Sequence, residues 1–390
     1  MKKYLTLAAT AALVLAACAK IETSVPVNEA DRAAINFTNY APRSLAKADA
    51  TYASGASLVV NKKFSVYSYA TSNNTAFTSS AIGTQFMNGV EVTYVDNDAN
   101  GAHNTYSPLR YWPSGDTPDW LTFWAYYPVQ ADNGITYTAP TGSNGVGSYA
   151  FTAASTAAAM VDFMVADVVN DKIYGDAAGD HVAVNGVVGL TFRHQLTKIA
   201  VKFKTDNEEA TTNVVLTAAT LNKVKTSGTL STTYATGATT TSWGSQALAA
   251  TPVVYDVTIA GAAINNNVLT TSPVGGADAD LFLMIPQETI VKNGTNPQYF
   301  EISWDVKTYD TAAHATANGA DGLLSTTSNT KKIYLDDIVL KDSGDVALDN
   351  NDWAKNQFTT YTITVGPKPI RFTATVAPWD AETFGNVSVN

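Results

Sequence analysis

Cysteine is almost absent from this sequence, because Cys18 is the only one among 390 residues. A single cysteine excludes an intramolecular disulfide and also the Cys₄ and Cys₂His₂ types of zinc site. Four histidines leave little material for a metal centre or a catalytic triad, and neither G-x-S-x-G nor H-E-x-x-H occurs. We therefore expect a protein that is not an enzyme, with no catalytic residues, no metal site and no cofactor.

Basic residues are also scarce, with 24 Lys and Arg against 34 Asp and Glu and a net charge of −10. Phosphate binding needs clustered Lys and Arg, so we expect no nucleic acid partner. The hydrophobic fraction of 45% is too high for a disordered chain. No apolar run of membrane-spanning length follows the N-terminal segment, so no transmembrane helix is expected.

The N-terminal segment has the pattern of a bacterial lipoprotein signal. Lys2 and Lys3 precede an apolar stretch at residues 5–17, which is too short to span a bilayer as a helix. Small residues and then Cys18 follow, as in a lipobox, where the cysteine thiol is acylated after cleavage just before it. We predict a signal peptide at residues 1–17 and a palmitate-type lipid anchor on Cys18; an ordinary signal peptide is the alternative.

The rest of the chain reads as a tether followed by β-structure. Residues 18–32 are polar and without periodicity, which is typical of a flexible spacer. Short runs rich in Val, Ile, Thr, Tyr and Phe then alternate with turn residues, which predicts antiparallel β-sandwiches. The predicted strands include residues 33–40, 64–69, 90–95, 121–127, 187–203, 253–259, 281–285, 300–306, 361–365 and 370–376.

A loop-rich stretch before Asn185-Gly186 predicts a domain boundary there. The predicted units are then an N-terminal sandwich at residues 33–186 and a C-terminal sandwich at residues 187–390. Residues 153–169 fit a helix and a strand equally well, and both readings stay open.

Several short motifs occur in a specific order along the chain. They lie at residues 106–113, 121–128, 162–164, 190–199, 283–287 and 372–379. Together with the lipobox, their order resembles that of the fimbrillin family, the lipoprotein pilins of type V pili in Gram-negative bacteria. The resemblance implies two transthyretin-like antiparallel β-sandwich domains in tandem. It also implies export to the outer membrane, cleavage after an arginine by a surface protease, and replacement of the lost first strand by a C-terminal strand of the next subunit.

Arg43 is the arginine that suits this processing. It follows the predicted strand at residues 33–40 and lies between Pro42 and Ser44. Cleavage at Arg32 would leave that strand attached. Loop tips favour proteolysis, although an ordinary surface arginine is the alternative interpretation of Arg43.

The donor strand implied by the resemblance must be extended, with apolar residues at alternate positions. Ile370, Phe372, Ala374 and Val376 meet this requirement, and residues 384–389 are a shorter second candidate. In an unpolymerised monomer, we expect the first of these segments to be an internal core strand.

Two further patterns have a structural and a functional interpretation. The segment from Asp96 to Gly101 copies half of a calcium loop, but position 12 is Ser107 rather than an acid, which favours a hairpin turn. Aromatic residues crowd residues 106–127 and are either a sugar-binding surface or a sandwich core, and the core is favoured.

The sequence therefore predicts a structural subunit or pilus-associated adhesin of a type V pilus. Its expected partners are other pilus subunits, the outer membrane through the lipid, and host proteins or glycans. The alternative is a monomeric outer-membrane lipoprotein that binds glycans. Shaft, tip and anchor positions in the pilus stay open.

Overall fold

The computed structural model describes residues 33–379, apart from 41–51, 54–56, 59–61, 73–74, 79, 99–100, 116, 130–133, 142–144, 236, 258–266, 276–280, 291, 343, 349 and 368–369. Four predictions concern residues outside these ranges. They are the signal peptide at 1–17, the lipid anchor at Cys18 with the tether at 18–32, the processing site at Arg43, and the second donor candidate at 384–389.

The protein is an all-β structure, with 56% strand and 5% helix, so the predicted fold class is confirmed. The strands are, in chain order, β1 (Asn36–Tyr40), β2 (Tyr52–Ala53), β3 (Ser57–Leu58), β4 (Lys63–Thr71), β5 (Thr84–Asp98), β6 (Gly101–Thr105), β7 (Trp120–Tyr127), β8 (Ile135–Thr138), β9 (Ser148–Thr152), β10 (Met164–Ala166), β11 (Val169–Gly175), β12 (Val182–Val184), β13 (Val187–His194), β14 (Thr197–Lys204), β15 (Thr212–Asn222), β16 (Ser227–Ala235), β17 (Ala238–Ala247), β18 (Tyr255–Asp256), β19 (Val274–Gly275), β20 (Phe282–Met284), β21 (Tyr299–Tyr309), β22 (Leu323–Tyr334), β23 (Leu340–Lys341), β24 (Gln357–Thr364) and β25 (Arg371–Pro378).

Helical structure is limited. The described residues contain one α-helix, α1 (Ala312–Ala317). It begins after Thr311, whose side chain accepts a hydrogen bond from the His314 N–H. In the described part of the chain, no helix is long and apolar enough to cross a membrane. The sequence of residues 153–169 fits a helix and a strand equally well. The structure has a 3₁₀ turn at Ala157–Ala159 and the strand β10 there, so this stretch is not an α-helix.

The first and largest sheet has the strand order β1-β13-β10-β7-β4-β5-β6, with β11 and β12 attached beside β7. Strand β7 is buried on both faces and separates two apolar clusters. Trp124 and Tyr126 pack into one cluster, whereas Phe123 and Tyr127 pack into the other. This division follows from the two-residue period of a strand, because neighbouring side chains point to opposite faces.

Two further sheets follow in the C-terminal half. One has the order β19-β14-β24-β25-β23 with β20 beside β14, and the other has the order β18-β15-β21-β22. Their facing sides share one apolar cluster, which includes Phe282, Trp304 and Ile363. A fourth sheet, β17-β16-β9-β8, joins strands from both sides of Asn185-Gly186.

The predicted strand over residues 187–203 was wrong in one respect, because the structure divides it into β13 and β14. β13 pairs with β1 and β10 in the first sheet, whereas β14 pairs with β24 and β20 in the second. The residues between them do not interrupt the apolar pattern, since Phe192, His194 and Leu196 are all buried. The pattern therefore gave no sign of the change of sheet. The division into two tandem sandwiches at Asn185-Gly186 stays a prediction.

The hairpin interpretation of the segment near Asp96 agrees with the strand pairing. β5 and β6 are antiparallel, with a register that runs from Thr93 opposite Thr105 to Asp98 opposite Gly101. The backbone thus reverses at the acidic segment, as a hairpin turn requires.

Candidate functional site

The first strand, β1, lies at the edge of the largest sheet. It pairs in parallel with β13, from Asn36 opposite Val187 to Tyr40 opposite Thr191. On its other side, the described residues provide a single bridge, between Ala34 and Tyr111. A strand with a ladder on one side only can be removed or replaced without breaking the sheet in two.

Two apolar side chains anchor the β1 segment in the core. Ile35 is fully buried and Phe37 is 4% exposed. The Phe37 ring makes edge contacts with Tyr106 at 5.6 Å and with Phe123 at 6.0 Å between ring centroids. Loss of β1 would therefore open an apolar groove beside β13.

On the outer side of β1, individual hydrogen bonds, most of them from polar side chains, take the place of a second strand ladder. The Asn104 Nδ2 donates to the Phe37 carbonyl at 2.8 Å, and the Asn39 Nδ2 donates to the Asn104 Oδ1 at 2.9 Å. The Tyr106 hydroxyl donates to the Ile35 carbonyl at 2.8 Å, and the Ile35 N–H donates to the Arg110 carbonyl at 2.9 Å. We call β1, β13 and these outer residues the β1 site.

Burial raises the pKa of Tyr106 above its ordinary value. The cause is desolvation, which disfavours the phenolate. The hydroxyl therefore keeps its proton at neutral pH and remains a donor to the Ile35 carbonyl.

Substitution of Asn104 by alanine is expected to loosen β1. The change removes both side-chain hydrogen bonds that join Asn104 to β1, to Phe37 and to Asn39. Because an unsatisfied, part-buried carbonyl is costly, we expect the free energy of unfolding to fall by about 1–3 kcal/mol. Urea unfolding measures this loss, and hydrogen exchange should become faster at the β1 amides. Equal exchange rates at β1 in both proteins would contradict the assigned role of Asn104.

The predicted donor segment lies in β25, which is an internal strand of its sheet. It pairs with β24 over eight positions, from Arg371 to Pro378, and with β23 at Ala374 and Thr375. Ala374 and Val376 are buried, whereas Ile370 and Phe372 are half-buried. Donation by this segment would thus require the ladder between β24 and β25 to break.

Three of the sequence motifs meet at the end of β25. The Trp379 ring stacks on His194, with 4.0 Å between ring centroids and 7° between planes. The His194 Nδ1 lies 2.7 Å from the Asp162 Oδ2, and the Lys198 Nζ lies 6.0 Å from the Trp379 ring centroid. His194, Lys198 and Trp379 are all buried. We call these four residues the Trp379 cluster, and it ties β25 to both of the main sheets.

The aromatic side chains at positions 106–127 lie mainly in the core. Trp112 and Trp124 are at most 2% exposed, and Trp120 is half-buried and stacks on His181 at 4.3 Å. Side chains buried in this way present no face to a sugar ring. The core interpretation agrees with this burial, and the glycan-binding alternative loses its main support.

Sequence reasoning did not identify Asn104 or the stacking of His194 on Trp379. Asn104 carries no sequence signal, since it is one polar residue in a hairpin strand. The motifs containing His194 and Trp379 were recognised, but their contact spans almost half of the chain. Within the described ranges, no group of three or more His, Cys, Asp or Glu residues lies close enough to hold a metal ion.

Comparisons with known proteins match this chain to a family model and to solved structures. A family model described as fimbrillin-like matches residues 51–379. No curated protein matches the chain. Among solved structures, a fimbrial protein from Bacteroides vulgatus is similar over 89% of this chain and 99% of its own, with 18% identity and a TM-score of 0.55. A fimbrilin from Porphyromonas gingivalis is similar over 89% of this chain and 96% of its own, with 13% identity and a TM-score of 0.40.

Proposed function

Because this chain belongs to the fimbrillin-like family, we propose that it is a structural subunit or adhesin of a type V pilus. In this proposal the subunit is assembled by proteolytic removal of β1 and insertion of a strand from a neighbouring subunit. Other pilus subunits are its partners, and the cell surface is its location. The mechanism is assembly rather than turnover of a substrate.

The edge position of β1 is the observation that carries this proposal. Two buried side chains, Ile35 just before β1 and Phe37 within it, and a five-residue ladder to β13 hold this segment in place. Its loss leaves unpaired backbone groups and an apolar groove, and an incoming strand with alternating apolar residues repairs both. The chain between β1 and β4 contains Arg43, so cleavage there separates β1 from the body of the protein.

The donor strand is assigned to the C-terminal part of the chain. Ile370, Phe372, Ala374 and Val376 provide four alternating apolar side chains, and residues 384–389 are the second candidate. The first candidate must leave its ladder with β24 before it can be donated. The second candidate follows β25 and does not require that step.

Lipidation at Cys18 is the proposed route to the cell surface. Two or three acyl chains on one residue give stable anchoring in the outer membrane, whereas one chain is marginal. Cleavage at Arg43 would then release the subunit from its lipid at the same time as it removes β1. This coupling makes release and assembly a single event.

Treatment of the purified protein, starting at residue 19, with an arginine-specific protease tests the proposal. We expect one early cut that yields Ser44 as the new N-terminus, followed by ladders on gels and filaments in electron micrographs. Arg43→Ala should abolish both the cut and the filaments, because β1 then stays attached.

Arg32→Ala is the matched control, since it removes an arginine on the other side of β1. It should assemble as the unchanged protein does. A protein that is cut after Arg43 but stays monomeric would contradict assembly by strand exchange.

A further inference from the structure

A second open edge lies in the C-terminal half, far along the chain from the β1 site. β22 forms a ladder with β21 only, among the residues that the structure describes. β25 is paired with β23 only at Ala374 and Thr375, so within the described ranges its residues Arg371 to Thr373 have a ladder on one side only, with β24. Both strands therefore carry unpaired backbone groups, β22 along one side and β25 at its first three residues.

A cleft of about 650 Å³ lies between these two strands. Its apolar wall includes Trp304 and Val306 from β21, together with Ile370 and Phe372 beside and within β25. This volume is within the range of ligand-binding clefts, roughly 300–1,000 Å³. We call it the β22–β25 cleft.

The cleft contains a buried donor without a partner. Trp304 is 7% exposed, and its Nε1 is buried with no hydrogen-bond partner among the described residues. Buried donors are normally satisfied, because leaving one unpaired costs about 1–3 kcal/mol. The indole is therefore shielded, and Ile370 and Phe372 are the more exposed apolar residues of the cleft wall.

The charge at the cleft is positive, in contrast to the net charge of −10 for the whole chain. Lys292, Lys331, Lys332 and Asp337 are its charged lining residues. Lys292 pairs with Asp337 at 2.8 Å, and Lys332 pairs with Glu301 at 3.4 Å. In the described structure no carboxylate pairs with Lys331.

Lys331 is also placed to face the cleft. It lies opposite Ile302 in the ladder of β21 and β22, and Ile302 is fully buried between the two sheets. Directly opposite residues share one face of a sheet. The side of β22 that carries Lys331 is thus the side that faces β25.

We propose that the β22–β25 cleft binds an extended, acidic polypeptide segment with apolar residues at alternate positions. The open edge at Arg371 to Thr373 supplies backbone partners, as in strand addition. Ile370 and Phe372 receive apolar side chains, and Lys331 receives a carboxylate. A sugar is a poorer fit, because the face of Trp304 is buried and does not offer a stacking surface. This site does not depend on cleavage at Arg43.

Fluorescence anisotropy with a labelled nine-residue peptide of alternating valine and glutamate tests the proposal on the full chain. We expect saturable binding that weakens about tenfold in Lys331→Glu, and we expect that variant to bind a valine–lysine peptide instead. Lys307→Glu is the matched control, because it makes the same charge change on the opposite face of the same sheet. It should bind the acidic peptide as the unchanged protein does.

Hydrogen exchange provides a second readout, because the bound peptide should slow exchange at residues 371–373, whose open edge it covers. The proposal is overturned by absence of saturable binding, by equal effects of Lys331→Glu and Lys307→Glu, or by unchanged exchange at residues 371–373 with the peptide bound. A dimer that forms without peptide and that Lys331→Glu dissociates would also overturn it, since a second copy would then occupy the cleft.

Discussion

Phe37→Ala is expected to lower the free energy of unfolding by about 3–5 kcal/mol. Phe37 is 4% exposed and makes edge contacts with two rings, so its removal leaves a cavity at the β1 site. The surrounding core is formed by buried side chains of β4, β5, β7 and β13 and has little freedom to collapse into that space. Urea unfolding of the uncleaved protein measures the loss.

The neighbouring residue provides the control. Thr38 lies on the same strand with its side chain exposed, so Thr38→Ala should change stability by no more than about 0.5 kcal/mol. A small effect of Phe37→Ala, similar to that of Thr38→Ala, would contradict the view that β1 closes the core.

Phe37→Ala also has an expected effect on the assembly of subunits. After cleavage at Arg43, the described contacts that hold β1 include its ladder with β13, its outer hydrogen bonds and its buried side chains. With Phe37 removed, the cleaved β1 segment should dissociate faster, and this rate can be followed by mass spectrometry. Faster release together with faster filament growth would identify β1 release as the slow step of assembly.

The sequence predicted the class of fold well because its signals are local. Alternating residues and turn residues identified β4, β7, β21 and β24 within a few positions, since a strand imposes its two-residue period on its own residues. The order of short motifs along the chain predicted the family. These signals needed no information about which strands are neighbours.

The arrangement of the strands was less accessible, because it depends on contacts that are distant in sequence. The apolar pattern continues from β13 into β14 without interruption, although the two strands belong to different sheets. The parallel pairing of β1 with β13 joins residues about 150 positions apart. The role of Asn104 depends on contacts with Phe37 and Asn39, which are also distant in sequence, so no pattern near Asn104 could have predicted it.

Trp379→Ala is expected to have a comparable effect at the other end of the chain, again about 3–5 kcal/mol. Trp379 is 3% exposed and covers His194 and Lys198. Its loss leaves a large cavity and admits water to two ionisable side chains, and it removes the stacking contact with His194 at the end of β25. Hydrogen exchange should therefore become faster in β25 than in the rest of its sheet.

Trp120→Ala is the matched control, because it removes the same type of side chain from a half-buried position outside the Trp379 cluster. It should cost less stability than Trp379→Ala and leave exchange in β25 unchanged. Equal losses in the two variants would contradict a specific role of the cluster.

The Trp379 cluster also distinguishes the two proposed donors. If the segment with Phe372 and Val376 is donated, β25 must leave its ladder, and Trp379→Ala should make filament growth faster after cleavage at Arg43. If residues 384–389 are donated, β25 stays in place, and the variant should not make growth faster although it is less stable. Growth rates of cleaved Trp379→Ala and Trp120→Ala, measured by light scattering at equal concentration, therefore identify which segment moves between subunits.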